Sequence, residues 1–554
     1  MGNAASWWGE PGRAGWQPEV WQGTAFPGTL AGLVRGGWVL EEPGRAPGAL
    51  PWPGICQARS PLAWYDSLEA RVDGGGAPAG FEGALAGLRA GSVSGKRRIR
   101  STFSLASGSG GLEEDALTLS RGDSLGGVGA DVMSGAHGAE GGLQQAGLHQ
   151  WGAQAHLTRG AHAFGGSISQ RGAAAGLAGG EEQAASGQSG AAQWRWRRGG
   201  NAWKAGFARG LDRHESVGGT LPFSVREAQE TRLSVGFDRT WEERGLGAGV
   251  EWTDAQVRRF AGGPFALGSR SVWGVVRAAG PVRGGRLEVA VGAGRNGGVD
   301  RFEVAPSAVF EVRARGLAAA FALERVLTPV WADLAPGTAP FLQHAWVATA
   351  RAANARAAAR SVRGSLRAGR VYARALADRL PLEELWLRRG LRPEYGTYDF
   401  ALAEGGIGWE GRIGGAGVEG FGLAHRSTAL PGDLPRTPRA DPDAGFRAWL
   451  GSRAKFFGGD LGVSLRGELE GVGAREAIGA AGAGAQGGVL RRLPAFLTTG
   501  VAVEFTLGDA TLVVRGRNLE DRPREQSWTD SATGLPAVAG RRDVRLSFLW
   551  RLFD

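Results

Sequence analysis

The chain has 554 residues, 97 of them Gly and 25 Pro, so about 22% of it is unfavourable inside a helix, against roughly 12% in average usage, which argues against an all-α protein. No Gly-X-Y period is present, and 42% apolar with 21% charged residues is too apolar for a wholly disordered chain. The net charge of +10 is almost all arginine, with lysine only at positions 96, 204 and 455; the arginines run from Arg13 to Arg551, interleaved with acids, and so diffuse a charge argues against a nucleic-acid partner.

No run of about 18 apolar residues occurs, so no membrane-crossing helix is expected. A single cysteine, Cys56, permits no internal disulfide. Residues 1–24 lack a basic segment followed by an apolar one, so no secretory signal is read there, and they are expected to be a poorly ordered leader. Residues 25–96 are dense in Trp and Pro, with Pro47, Pro51 and Pro53 close together, and show no sustained alternation. A boundary therefore falls near residue 96.

From residue 97 to 554 the pattern changes to short segments of alternating polarity separated by Gly-rich or Pro-containing turns. Ala116 to Ser120 and Gly129 to Met133 read as strands around Gly122-Asp123-Ser124-Leu125-Gly126. Those five residues fit the letters of a nucleophile elbow but lack the following helix, so a hairpin turn is expected. His149 and His156 are seven apart, which on a strand places them on opposite faces, too far apart for one metal ion. Trp194 and Trp196 alternate with Arg195 and Arg197. Over Thr231 to Trp241, Leu233, Val235, Phe237 and Trp241 share one face, while Arg232, Ser234, Gly236 and Asp238 share the other. The same period recurs at Leu287 to Val291, at Leu461 to Glu468 with Arg466 on the polar face, and at Val501 to Leu507. Two stretches stand apart: Ala345 to Arg360 reads as a short helix, and Pro431 to Pro442 as a long loop. No metal-ligand cluster, P-loop or zinc-hydrolase motif occurs, so neither an enzyme nor a cofactor is expected.

Regular alternation at roughly 20 residues per strand and turn predicts an all-β fold, a large antiparallel barrel. Abundant Trp near segment ends favours a membrane barrel over a soluble sandwich, since interfacial girdles place aromatics there. The last segment is the most specific: Val544, Leu546, Phe548, Trp550 and Leu552 alternate with polar and basic residues, and Phe553 is penultimate. A terminal amphipathic strand of this kind closes a barrel against its first strand.

Upstream lie Asn518-Leu519-Glu520-Asp521, a variable stretch, and Gly540-Arg541. This order resembles the closing strands of TonB-dependent outer-membrane receptors, in which a strand ends in an Asn-Leu-x-Asp turn, a loop follows and Gly-Arg opens the last strand; the family commonly ends on its aromatic, where this chain adds Asp554. Phe321 to Leu334 resembles a barrel strand running into a Pro-containing outer loop. The segment around Asp66, Leu68, Glu69 and Arg71, followed by Gly/Ala-rich sequence, resembles the last part of that family's plug domain.

The resemblance implies a transmembrane barrel of about 22 strands over 97–554, with 25–96 as the C-terminal part of a plug and the signal peptide, energy-coupling box and first half of the plug absent. With 22 strands, about 21 residues fall to each, of which 9 to 11 cross a bilayer. It further implies a monomer in the outer membrane of a Gram-negative-type bacterium, contacting membrane lipid, a small nutrient ligand of the iron-chelate or cobalamin class and, if the intact chain has the energy-coupling box, a TonB-type coupling protein. Lumen arginines such as Arg195, Arg197, Arg232 and Arg466 would then attract an anionic substrate or simply line water. A passive porin or structural outer-membrane barrel and a soluble secreted β-rich binding protein are the alternatives left open.

Overall fold

A computed structural model describes residues 39–41, 68–71, 87–90 and 100–552, except 109–111, 123–125, 138–142, 178–181, 218–223, 260–264, 297–300, 315–316, 331–340, 355–359, 375–395, 428–443, 480–488, 523, 530–535 and 540–541. Twenty-two antiparallel strands, from Arg100–Gly108 to Asp543–Leu552, pair with their chain neighbours. The last pairs with the first, from Arg545 opposite Gly108 to Leu552 opposite Ser101, so the sheet closes with no free edge. Two hairpins stand outside this sheet: Arg475–Gly479 with Val489–Leu493, and Arg524–Thr529 with Pro536–Ala539. Upstream of the barrel, Gly87–Ala90 pairs parallel to Val39–Glu41 and antiparallel to Leu68–Arg71.

The two ends of the barrel differ. At one, here the inner end, the connections 160–161, 199–200, 242–243, 283–284 and 508–509 are two residues long. Gly199 and Gly200 both have positive φ, 55° and 81°, the backbone that a two-residue hairpin needs to match strand twist. At the outer end the connections have three to six residues as far as Arg301, then lengthen to 331–340, 375–395, 428–443, 473–495 and 518–542. Strand length runs the other way. The seven strands from Leu143 to Val282 have 16 to 18 residues, whereas those from Gly285 onward have 8 to 15. The longer strands thus go with the shorter outer connections, and the shorter strands with the longer ones.

Period-2 alternation sets inside from outside. On Ser224–Trp241 the apolar Leu233 and Val235 are exposed outward and Arg232, Ser234 and Asp238 take the lumen side, as the sequence pattern requires. Phe164, Ile168, Phe207, Val250 and Val276 extend the outward apolar band. Trp203, Trp241, Trp409 and Trp550 lie close to inner strand ends. The outward Trp151 and Trp346 stand about eight residues further up, a rise of roughly 20 Å on tilted strands, close to the ~25 Å apolar band of membrane barrels. Among the described residues, the buried apolar side chains Trp273, Val275, Ala290, Ala305, Ala322 and Val347 lie on the lumen face of the strands from Phe265 to Asn354, and Leu493 is buried in the hairpin outside the barrel sheet.

The helix expected over Ala345 to Arg360 is corrected. Phe341–Asn354 and Arg360–Arg374 are barrel strands, paired from Leu342 opposite Arg374 to Ala353 opposite Arg363. Ala and Arg favour helix locally, but tertiary pairing with a strand on each side overrides that weak preference. The Pro431 to Pro442 stretch and the leader 1–24 lie outside the described residues. Leu112–Gly122 and Gly126–His137 pair up to Gly122 opposite Gly127, so 123–125 joins neighbouring antiparallel strands, the hairpin context expected there. His149 and His156 share the strand Leu143–Arg159 with odd separation, hence opposite faces.

Candidate functional site: the lumen wall and the base of the last outer loop

Three arginines from three strands converge on one carboxylate. Glu468, on Leu461–Val472, faces the lumen opposite Trp449 of Ala444–Phe456. One of its oxygens, Oε2, accepts hydrogen bonds from Arg447 and from Arg515, both at 2.8 Å. Its other oxygen lies 3.1 Å from Nε of Arg466, whose guanidinium sits 4.6 Å from the Trp449 ring centre. All four charged side chains are substantially buried, so these charge-assisted contacts are screened less than surface pairs. Three guanidinium groups thus meet at one carboxylate in the lumen wall. Glycine makes room for the aromatic: a Cβ on Gly417 would stand 2.8 Å from Cε2 of Trp449.

The other sequence-selected arginines do not join this cluster. Arg195 and Arg197 lie near the inner end of Glu182–Arg198, with Arg195 opposite Lys204. Beside them Asp238 accepts from Arg277 at 2.6 Å and lies 3.6 Å from the Lys204 ammonium. Arg232 stands further up and pairs with the buried Glu251 at 3.6 Å. The lumen wall thus carries separate charge groups at different heights, and of the four selected arginines only Arg466 is part of the three-arginine site. Reading single segments missed Arg447, Glu468 and Arg515 as a unit; each occupies the polar face of its strand, which was the available signal.

The Asn518-Leu519-Glu520-Asp521 turn is built as a staple where the chain leaves Ala510–Arg517. Asn518 is 1% exposed with φ 48°, a conformation that Asn tolerates better than most residues. Its Nδ2 donates to the Arg522 carbonyl at 2.7 Å and its Oδ1 accepts from the Arg522 N–H at 3.2 Å. Asp521 accepts the Arg542 N–H at 2.9 Å, and the Arg542 guanidinium donates to the Leu519 carbonyl at 3.0 Å. The outgoing and returning ends of the loop are therefore tied together. Leu519 also donates to the Thr499 carbonyl at 3.2 Å, and Glu520 accepts the Thr499 N–H at 3.0 Å. That hydrogen bond holds the Glu520 carboxyl below its usual range.

Of the closing-strand residues, Val544, Leu546 and Trp550 are exposed outward, Phe548 shares their face with its ring 6.4 Å from that of Trp550, and Leu552 pairs with Ser101. Gly540, Arg541, Phe553 and Asp66 lie outside the described residues. Leu68, Glu69 and Arg71 lie on the short strand Leu68–Arg71.

No protein-family model and no curated protein sequence matches the chain. Solved structures do. The FrpB iron transporter of Neisseria meningitidis superposes with a TM-score of 0.69 at 11% identity, covering 88% of each chain. The siderophore receptor PirA of Acinetobacter baumannii gives 0.69 at 8% identity, covering 88% of this chain and 85% of that one. The ferric yersiniabactin uptake receptor FyuA of Yersinia pestis gives 0.64 at 11%, covering 87% and 84%. With its closed 22-stranded barrel, short inner turns and longer outer connections, the chain has the fold of the TonB-dependent outer-membrane receptors.

Proposed function

We propose that the chain is an outer-membrane receptor barrel that takes up a scarce nutrient of the iron-chelate or cobalamin class. It works as a monomer, with residues 25–96 as the C-terminal part of a plug and with a TonB-type protein supplying energy where the intact chain carries the coupling box. The observation that carries this reading is the Arg447, Arg466 and Arg515 group around Glu468: positive charge held in the lumen wall by buried hydrogen bonds is suited to an anionic chelate. An iron transporter and a siderophore receptor among the structures that share the fold support the iron-chelate reading. Placement in a membrane is supported by the outward apolar band between two levels of Trp.

The test is energy-dependent accumulation of ferric hydroxamate, ferric catecholate and cobalamin by cells expressing the full chain, with and without a functional TonB system. Accumulation of one compound that requires TonB and falls at least tenfold in Arg447→Ala/Arg515→Ala supports the reading. Passive conductance in planar bilayers without coupled uptake would establish a porin instead. Extraction without detergent, with no heat-dependent shift in gel mobility, would establish a soluble protein.

A further inference from the structure

The outward face of the barrel carries its charge differently at its two ends. Toward the outer end, Arg213 lies 2.7 Å from Glu215 and 3.8 Å from Glu227, and Arg270 lies 3.8 Å from Asp254, so these outward arginines have carboxylate partners within the chain. At the inner end, Arg198 and Arg239 are exposed. Among the described residues neither of them pairs with a carboxylate, the adjacent turn acids Glu242 and Glu243 included.

Register brings these two arginines together. Asn201, the first residue of Asn201–Val217, stands opposite Arg198 of Glu182–Arg198 on one side and opposite Arg239 of Ser224–Trp241 on the other. By period 2 all three share the outward face with Trp196, Trp203 and Phe237. Cross-strand neighbours are about 5 Å apart, so the arginines flank the amide with about 10 Å between their Cα atoms, a gap that two long side chains close from either side. The next row toward the apolar band, two residues along each strand, is Trp196, Trp203 and Phe237, the last two with ring centres 4.7 Å apart. On the rim side, the Arg239 guanidinium lies 5.7 Å from the centre of the Trp241 ring, a cation–π contact that keeps it on this face.

We propose that Arg198, Asn201 and Arg239 form a headgroup site for an anionic phospholipid of the leaflet at the inner end of the barrel. The ligand follows from the chemistry. Two guanidinium forks and an amide donor match the oxygens of a phosphodiester, which arginine binds in bidentate fashion. The aromatic row directly above them is matched by the glycerol and the first acyl carbons, as at the interfacial belts of membrane proteins. A free phosphate ion would use the polar row and leave the aromatic one uncovered, so the phosphate belongs to a lipid. A zwitterionic headgroup brings its own ammonium beside two cations that lack a carboxylate, so a net negative headgroup is preferred. Position agrees with chemistry, because the site is continuous with the outward apolar band through Phe207 and Val235. The inference rests on the membrane-barrel reading given above and names the lipid class that such a barrel selects.

The experiment is native mass spectrometry of the full chain in detergent micelles, with dioleoyl phosphatidylglycerol or dioleoyl phosphatidylethanolamine added at equal concentration. The wild type should retain phosphatidylglycerol over phosphatidylethanolamine by about fivefold or more, given two arginines near an anionic headgroup. Arg198→Gln/Arg239→Gln should bind the two lipids equally, while Arg213→Gln, at the outer end, should keep the full preference. Inorganic phosphate at the lipid concentration should displace nothing. Equal binding by the wild type, a preference that survives the double variant or is lost in Arg213→Gln, or displacement by inorganic phosphate overturns the proposal. Each single variant, which should lower the preference, supplies the comparison if the double one does not fold. A heat-dependent gel shift on the same preparations separates the two readings. A shifted band with equal lipid binding overturns this inference alone, whereas extraction without detergent and no shift overturns the membrane reading beneath it.

Discussion

The indole of Trp273 lies against Gly292 of the next strand: a Cβ on that glycine would stand 2.8 Å from the ring's Cζ2 and Nε1. Trp273 is 2% exposed on the lumen face, so the ring has nowhere to retreat. Gly292→Val should displace it and destabilise the barrel by ~1–3 kcal/mol, the usual cost of overpacking a filled site. Gly422, whose Cβ position is open, is the control, and Gly422→Ala should leave stability unchanged. The temperature at which the folded band disappears in a heat-modifiability gel measures both.

Much of the glycine is explained by this relationship. Gly236 beneath Lys204, Gly417 beneath Trp449 and Gly292 beneath Trp273 are all lumen-face positions where a long side chain lies along the wall. Alternation made the face legible from sequence, the closing strand followed from the C-terminal pattern, and the strand number came from the family resemblance, with which the length agreed. The partners were not legible. Arg515 reaches Glu468 across the intervening strand Phe496–Leu507, and Arg447 reaches it from the other side, a meeting fixed by register over hairpins that a single segment does not contain. Ala345 to Arg360 misled because Ala and Arg carry a helical preference that says nothing about neighbouring strands.

Removing Glu468 should cost more than removing one of its arginines. Glu468→Ala leaves Arg447, Arg466 and Arg515 facing one another in a substantially buried site, where loss of the shared anion typically costs ~3–5 kcal/mol. Adding Arg515→Gln to Glu468→Ala should recover part of that loss. A double-mutant cycle on unfolding in urea, with coupling of ~1–3 kcal/mol, is the check; purely additive effects would show that the three contacts act independently.

The assignment of inside and outside is open to a charge test. Val250 points outward at mid-height and Ser234 points into the lumen beside Glu251. An arginine on the lipid face near the bilayer midplane costs ~2–4 kcal/mol, whereas lumen substitutions change selectivity more than stability. Val250→Arg should therefore reduce the fraction of folded barrel recovered in lipid vesicles by at least tenfold, with Ser234→Arg near the wild-type level. Equal recovery of the two variants would mean that the faces are assigned wrongly.

The staple at the base of the last outer loop should open in acid. Glu520 is held below its usual range by the hydrogen bond from Thr499, so its folded value lies under the unfolded one of about 4.3. With that sign, the carboxylate contributes stability above the unfolded value, and the contribution is lost as pH falls through the folded one. The group is exposed, so the effect is local and global stability should barely move. Amide exchange at Thr499, corrected for the intrinsic pH dependence, should accelerate between about pH 4.3 and lower values in the wild type. In Glu520→Gln the amide oxygen still accepts but no proton is taken up, so the corrected rate should be flat over the same range. A wild-type profile as flat as the variant's would show that protection of the Thr499 N–H does not depend on ionisation of Glu520.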